Sequence, residues 1–259
     1  YFQGKDNVPF HAMILPAILL GYGQLNLPYD IPANQYVMMG GDKASSSRNT
    51  AIWVPDYLKH LSADQLRYYL TCIMPETSDS EFNWEDFVSR NNDELAAKWG
   101  NLVQRVISFT NNRMGNKIPT QESSMSESND LKKYIQDTYI TAGNQIEKVG
   151  LRAALSSIMN AAQETNKYLE KTEPWKKIKG NKKLAEESIF CALEAIYNIA
   201  ILLYPFVPFS SNDVLKTFGN ESIYSQIQWE YQEIIPGTEL KQLDILFEKL
   251  ELSEINKIF

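Results

Sequence analysis

Cysteine is nearly absent: Cys72 and Cys191 are the two in 259 residues, they stand far apart, and no Cys-x-x-Cys pair occurs. That argues against a disulfide framework and gives a zinc site little to work with. Both fall within apolar helical patterns, so reduced, buried thiols in a cytoplasmic protein are expected. Long apolar runs are missing as well. Val8 to Leu20 is broken by Pro9, His11 and Pro16 and falls short of the roughly 18 to 20 residues of a membrane span. No secretory leader and no repeat of fixed period is visible. No Met opens the chain, and Tyr1-Phe2-Gln3-Gly4 reads either as the remnant of an engineered protease site or as partly native. Positive charge is also in deficit. A net charge of −7 argues against a surface coated for nonspecific nucleic-acid binding, while leaving RNA recognition open.

What the chain does have is apolar residues, 44% of the total, enough for a real core in one large domain or two small ones. Most recur at helical spacing. Val8 to Leu20 reads as a helix with Pro9 in its first turn and a kink at Pro16, ended by Gly21 and Gly23. Gln35 to Met39 reads as a buried strand. Pro55 to His60 and Ala63 to Ile73 read as helices, the second with Ser62 and Gln65 as a capping box. Asn83, followed by Glu85 and Asp86, opens a long amphipathic helix to about Arg113, with Trp84, Trp99 and Phe109 on its core stripe.

A connection of low complexity, Pro119 to Asn129, leads to a second long helix marked from Leu131 to Ala162. Gly143 and Gly150 are points of bending or close approach along it. A third helix is marked from Ile189 to Leu203. A fourth, Asn212 to Phe218, is capped by Ser210 or Ser211, and Pro236-Gly237 is a turn. Helices with apolar stripes bury them against one another, which predicts a helical bundle attached to part of an α/β domain.

Between the strand at Gln35 to Met39 and the helix after Pro55 lies Gly40-Gly41-Asp42-Lys43-Ala44-Ser45-Ser46-Ser47-Arg48-Asn49. A strand, a hydroxyl-rich loop with two cations, then a helix is an arrangement in which backbone N–H groups, hydroxyls and cations converge on an anion such as phosphate. Elsewhere seven lysines, Lys167, Lys171, Lys176, Lys177, Lys179, Lys182 and Lys183, surround Trp175. Either this is a solvated turn whose tryptophan caps the core, or it offers phosphate attraction with a stacking face for an unpaired base.

These stretches in order, with Asp64-Gln65-Leu66-Arg67-Tyr68-Tyr69-Leu70, Asn83-Trp84-Glu85-Asp86-Phe87 and Gly100-Asn101-Leu102-Val103-Gln104-Arg105, resemble the methionyl-tRNA synthetase family. Gly4 to His11 and Glu173-Pro174-Trp175 fall where that family has its counterparts. The resemblance covers Gly4 to about Glu251. It implies the closing part of a Rossmann-like α/β catalytic domain followed by an α-helical anticodon-binding bundle, mainly α overall. Residues 1–50 would carry the end of the nucleotide-binding domain, 51–82 the connecting helices and 83–259 the bundle.

By the same resemblance Lys43, Ser45, Ser46, Ser47 and Arg48 stand at the family's ATP-triphosphate loop, where they would hold pyrophosphate during activation of methionine. Ser46 departs from the pattern, which has a second lysine there; Arg48 would compensate, or activation would be weaker. Gly4 and Asp6 match adenylate-facing positions, and His11 matches a methionine-pocket histidine. Lys5 is expected in a structural ion pair. Asn101 and Arg105, four apart and therefore on one helix face, match the anticodon-reading pair, and Trp175 matches the anticodon-stacking tryptophan.

The implied substrates are ATP with magnesium, methionine and the methionine tRNA with a CAU anticodon. The family's His-Ile-Gly-His signature and its inserted, often zinc-bearing connective domain are absent from this sequence, so no zinc site is expected. The implied further partner is a missing amino-terminal catalytic half, without which the fragment alone is expected to be inactive. A noncatalytic tRNA-binding module and a helical interaction scaffold are the alternatives.

Overall fold

The computed structural model describes residues 3–43, 51–121, 125–219 and 227–259. The chain enters through a single turn of 3-10 helix, Lys5–Asn7, and a π-helical turn, Phe10–Ile14, that runs into α1, Leu15–Tyr22. A π-helical turn stands immediately before Pro16, which sits in the first turn of α1, and the altered hydrogen-bond spacing of that turn adjoins the position where proline has no N–H to donate. Gly21 stays within the helix. Gly23, at φ 78°, ends it.

A small sheet comes next, in the order β2-β1-β3. β1, Val37–Met39, pairs antiparallel with β2, Asp42–Lys43, across Gly40 and Gly41, both at positive φ. Two such residues are what a tight hairpin with the right-handed twist of its strands requires. β3, Ser80–Phe82, pairs parallel with β1, Met38 facing Glu81. No strand is legible at Ser80 from sequence. It forms because Asp79 fixes the approach, its Oδ1 accepting from Tyr36 N at 2.9 Å and from Lys5 Nζ at 2.9 Å, which is the ion pair expected for Lys5.

Between the strands lie α2, Val54–Tyr57, and α3, Ala63–Cys72. The capping box at α3 is complete: Ser62 Oγ accepts from Gln65 N, and Gln65 Oε1 accepts from Ser62 N. A small aromatic core joins this layer to the helical bundle. Tyr57, Tyr69, Phe82 and Phe87 are buried together, with the Tyr69 ring edge-on to Phe82 at 5.1 Å and to Phe87 at 5.4 Å.

The bundle begins at α4, Trp84–Arg90, whose cap Asn83 accepts from Asp86 N at 3.0 Å. It continues through π-helical turns, Asn91–Gly100, into α5, Asn101–Arg113, so the long helix expected to end near Arg113 is present. Trp99 is fully buried on its core side. The second long helix is two helices. α6, Ser126–Glu147, and α7, Leu151–Thr172, fold back on each other across Lys148 to Gly150, where Val149 takes φ 59°. The apolar spacing carries across that turn, which hides it. Gly143 is a point of close approach: a Cβ there would meet Trp229 Nε1 at 2.9 Å.

After the short α8, Pro174–Lys177, comes α9, Lys182–Leu203, buried on nearly every side at the bundle centre. α10, Pro208–Thr217, starts earlier than its sequence suggests, and neither expected serine caps it. The cap comes from α3. Buried Asp64 accepts from Ser210 N and Ser210 Oγ, both at 2.7 Å, while Arg67 donates to the carbonyls of Phe206 and Pro205. The tail returns along α5 and closes with α11, Leu252–Ile258, leaving Phe259 stacked on Trp84 at 4.8 Å.

Candidate functional site

The bundle presents a built surface on α5, α7 and α8. Arg105 lies on the outer face of α5, one turn beyond exposed Asn101. Its Nη2 donates to Asn166 Oδ1 of α7 at 2.9 Å, and its guanidinium carbon sits 4.9 Å from the centre of the Trp175 ring. Asn166 is itself fixed, its Nδ2 donating to the carbonyls of Lys98 and Ala162 at 3.0 and 3.1 Å. Phe109 meets Trp175 edge-on at 5.7 Å. Half-buried Trp175 is thus oriented by Phe109 and has Arg105 over a face.

Three helices cooperate here. α5 supplies Asn101, Arg105 and Phe109; α7 supplies Asn166; and Trp175 follows Pro174, which starts α8 after Glu173 turns the chain at φ 45°. Burial depresses the Arg105 guanidinium pKa below its ordinary value, against an opposing pull from Glu170. At neutral pH the group remains a cation, held by one neutral amide and an aromatic ring. Asn166 and Phe109 are the residues that sequence reasoning missed as site members. Spacing assigns Phe109 to the core stripe, and nothing local marks an asparagine within a helix as an arginine's partner.

Much of the lysine cluster around Trp175 is compensated. Lys167 pairs with Glu164, Lys171 with Glu127, Lys176 with Glu173 and Lys182 with Glu186. The positive field is weaker than the sequence suggests.

The other expected site residues lie around the sheet. Gly4 pairs with Asn34 beside β1. Asp6 is exposed within the 3-10 turn. His11 is half-buried, its Nδ1 within 3.1 Å of the Asn7 carbonyl oxygen. Lys43 ends β2, at the lip of the hairpin, while Ser45, Ser46, Ser47 and Arg48 lie outside the described residues. Gly41 N donates to Glu81 Oε1 at 3.1 Å, tying the hairpin to β3. Neither thiol is activated: burial pushes Cys72 up to about 11 and Cys191 up to about 12. Among the described residues no group of acidic, histidine or cysteine side chains could hold a metal ion, and no helix is long and apolar enough to cross a membrane.

Comparison with known proteins covers both halves of this arrangement. Residues 1–107 match the family described as tRNA synthetases class I (M), and residues 118–258 match the anticodon binding domain of methionyl tRNA ligase. A methionine–tRNA ligase from Thermomicrobium roseum is 45% identical over 85% of this chain, and one from Dehalococcoides mccartyi is 40% identical over 99%. This chain belongs to the methionine–tRNA ligase family.

It spans 38% and 46% of the length of those two ligases. The apo crystal structure of Mycobacterium tuberculosis methionyl-tRNA synthetase superposes on 96% of the chain with a TM-score of 0.83 at 25% identity, and 49% of that synthetase is covered. As in the ligase family's fold, part of a Rossmann-like domain is followed by a helical anticodon-binding domain.

Proposed function

We propose that the chain supplies the ATP-phosphate loop and the anticodon-reading bundle of a methionine–tRNA ligase, which joins methionine to its tRNA at the expense of ATP. The observation that carries this reading is the Asn101, Arg105 and Trp175 face. An exposed amide and a guanidinium share one face of α5, and the guanidinium and a half-buried indole are held by Asn166 and Phe109. An unpaired base asks for such a surface. The amide can pair with a base edge as donor and acceptor, the ring stacks, and the guanidinium grips base or phosphate after swinging off the indole.

The proposed RNA is the methionine tRNA with its CAU anticodon. At the other end, Lys43, Ser45, Ser46, Ser47 and Arg48 would hold the phosphates of magnesium-bound ATP. Activation by such a loop is electrostatic: cations and donors stabilise charge on the phosphates as the methionine carboxylate attacks. Ser46 brings a hydroxyl where the signature has a lysine, leaving Arg48 as the compensating cation. Gly4 and Asp6 would face the adenylate and His11 the methionine side chain.

A further catalytic portion, the missing amino-terminal half, would complete the site. Phe10, Met13, Ile18 and Leu20 on the entry helices are all more than half exposed, an apolar face of the kind that a packing partner covers. The proposed reaction would run in the cytoplasm, where both thiols stay reduced.

The test is binding of the chain to an RNA hairpin carrying CAU against copies with one of those bases changed, at two salt concentrations. A single change is expected to weaken binding about tenfold, with the ratio preserved as salt rises. Equal binding to all copies would sink the anticodon reading. Separately, no ATP–pyrophosphate exchange is expected from this chain alone.

A further inference from the structure

The Asn101 and Arg105 face occupies one row of α5, and the row beside it carries a cleft that the face leaves unused. Gln104, Ser108, Asn111 and Asn116 face Gln242 and Leu243 of the returning tail around about 280 Å³, close to the lower end of the roughly 300 to 1,000 Å³ of small-ligand sites. Its lining is amide and hydroxyl over an apolar floor that includes Ile107, with no charged side chain among the described residues.

Two of its members are chemically unfinished. Gln104 Oε1 and Asn111 Oδ1 are buried yet have no hydrogen-bond partner. Buried acceptors are rarely left so without a reason. Gln104 Nε2 donates to Ser108 Oγ at 3.3 Å, which holds the Gln104 amide in place and leaves the Ser108 hydroxyl proton free to donate.

Along α5 the residues at 101, 105, 108 and 112 form one row and those at 104, 108 and 111 the next, so the cleft adjoins the Asn101 and Arg105 face through Ser108. A neutral cleft has no attraction for phosphate. Paired acceptors with a donor between them instead complement a base edge that carries an amino group.

We propose that this cleft takes the base of a second unpaired nucleotide of the same RNA and reads its exocyclic amine through Gln104 Oε1 and Asn111 Oδ1. The inference rests on the proposed RNA binding and extends it to a subsite on the adjoining row of α5. Ile107 and Leu243 provide apolar contact for the ring, and the sugar and phosphate remain outside, toward Asn112.

The probe is a hairpin RNA with CAU in its loop, together with copies in which each loop adenosine or cytidine is replaced singly by the nucleoside lacking its exocyclic amine. One of these copies is expected to bind the unaltered chain about five- to tenfold more weakly, the worth of one net hydrogen bond to a group otherwise left unpaired. Gln104→Leu and Asn111→Leu remove acceptors that have no partner in the free protein, so folding should be retained. Each is expected to bind the parent hairpin more weakly by that factor and to lose the distinction between parent and amine-deleted copy. Should a leucine variant fail to fold, Gln104→Asn, which withdraws the oxygen while keeping the amide, takes its place.

The proposal is overturned if no amine deletion matters, or if its cost is the same in the variants as in the unaltered chain. Asn101→Ala and Trp175→Ala separate the two readings. If these weaken binding while the cleft variants do not, only the cleft is refuted; if they too bind normally, the RNA reading itself has failed.

Discussion

The helical entry, Phe10 to Tyr22, and the central helix α9 are both strongly apolar, yet they end in opposite environments. α9 is buried over most of its length, from Ala185 to Leu203. The entry helices bury no residue fully, and Met13 and Ile18 are 71% and 62% exposed. Composition alone does not separate them. α9 is surrounded by α5, α6, α7, α8 and α10, so its apolar surface is spent within the chain. The entry helices meet little beyond each other and the sheet margin. Apolar sequence states that a surface seeks burial; whether it finds burial within this chain is decided by what folds beside it.

The largest expected effect lies on the buried side of that comparison. Trp99→Ala would remove a fully buried indole from the bundle core and is expected to cost about 3 to 5 kcal/mol, read as a fall in the urea midpoint without a change in slope. A loss below about 1 kcal/mol would mean that the core collapses around the gap, and burial would cease to distinguish the two regions.

Asp64→Ala tests the joint between the α3 layer beside the sheet and the bundle that surrounds α9. Asp64 is 3% exposed and satisfies the first turn of α10 from α3. Its removal takes away a cap and leaves Ser210 N unpaired, while Ser210 Oγ keeps only its 3.3 Å bond to the Val207 carbonyl, for an expected loss of about 2 to 3 kcal/mol. Serine at that position, retaining an acceptor, should recover part of it. If the layer beside the sheet and the bundle instead unfolded in separate transitions in the unaltered chain, the joint would not be the coupling element.

Alkaline pH probes the same buried core through its thiols. Cys72 and Cys191 are raised from 9.0 to about 11 and about 12 by burial. The folded chain therefore keeps protons that the unfolded chain releases above pH 9. Their contribution is complete below that pH and is lost as pH climbs through 11 and 12, at up to about 1.4 kcal/mol per pH unit for each group. Buried Tyr68 and Tyr139, also raised by desolvation, act in the same direction. Cys191→Ala should flatten the decline in urea midpoint between pH 9 and 11; an unchanged slope would assign the decline elsewhere.

Where the chain controls its own local structure, the sequence is readable. Ser62 with Gln65, and Asn83 with Asp86, mark helix starts by chemistry that operates within one turn. Spacing puts Asn101 and Arg105 on one face, and Arg105 meets Trp175 in the structure. What escapes depends on distant partners. The break at Val149 interrupts no apolar stripe, Ser80 to Phe82 become a strand only beside β1, and α10 takes its cap from α3. The hold of Asn166 on Arg105 joins positions 61 apart, and no periodicity reports such a contact.

The smallest expected effect comes from the exposed side and completes the comparison. Ile18→Asp places a charge on a face that the structure leaves in water, so the unfolding midpoint of the monomeric chain should move by no more than about 0.5 kcal/mol equivalent. Self-association, followed by light scattering as concentration rises, should decrease, because a charge breaks an apolar patch. A fall as large as that of Trp99→Ala would show that Ile18 is packed in solution, and the contrast between α9 and the entry helices would be lost. A neutral result would sharpen it. A face that costs nothing to charge in this chain, and whose charging abolishes binding to the proposed amino-terminal portion, is reserved for a partner rather than for the chain's own core.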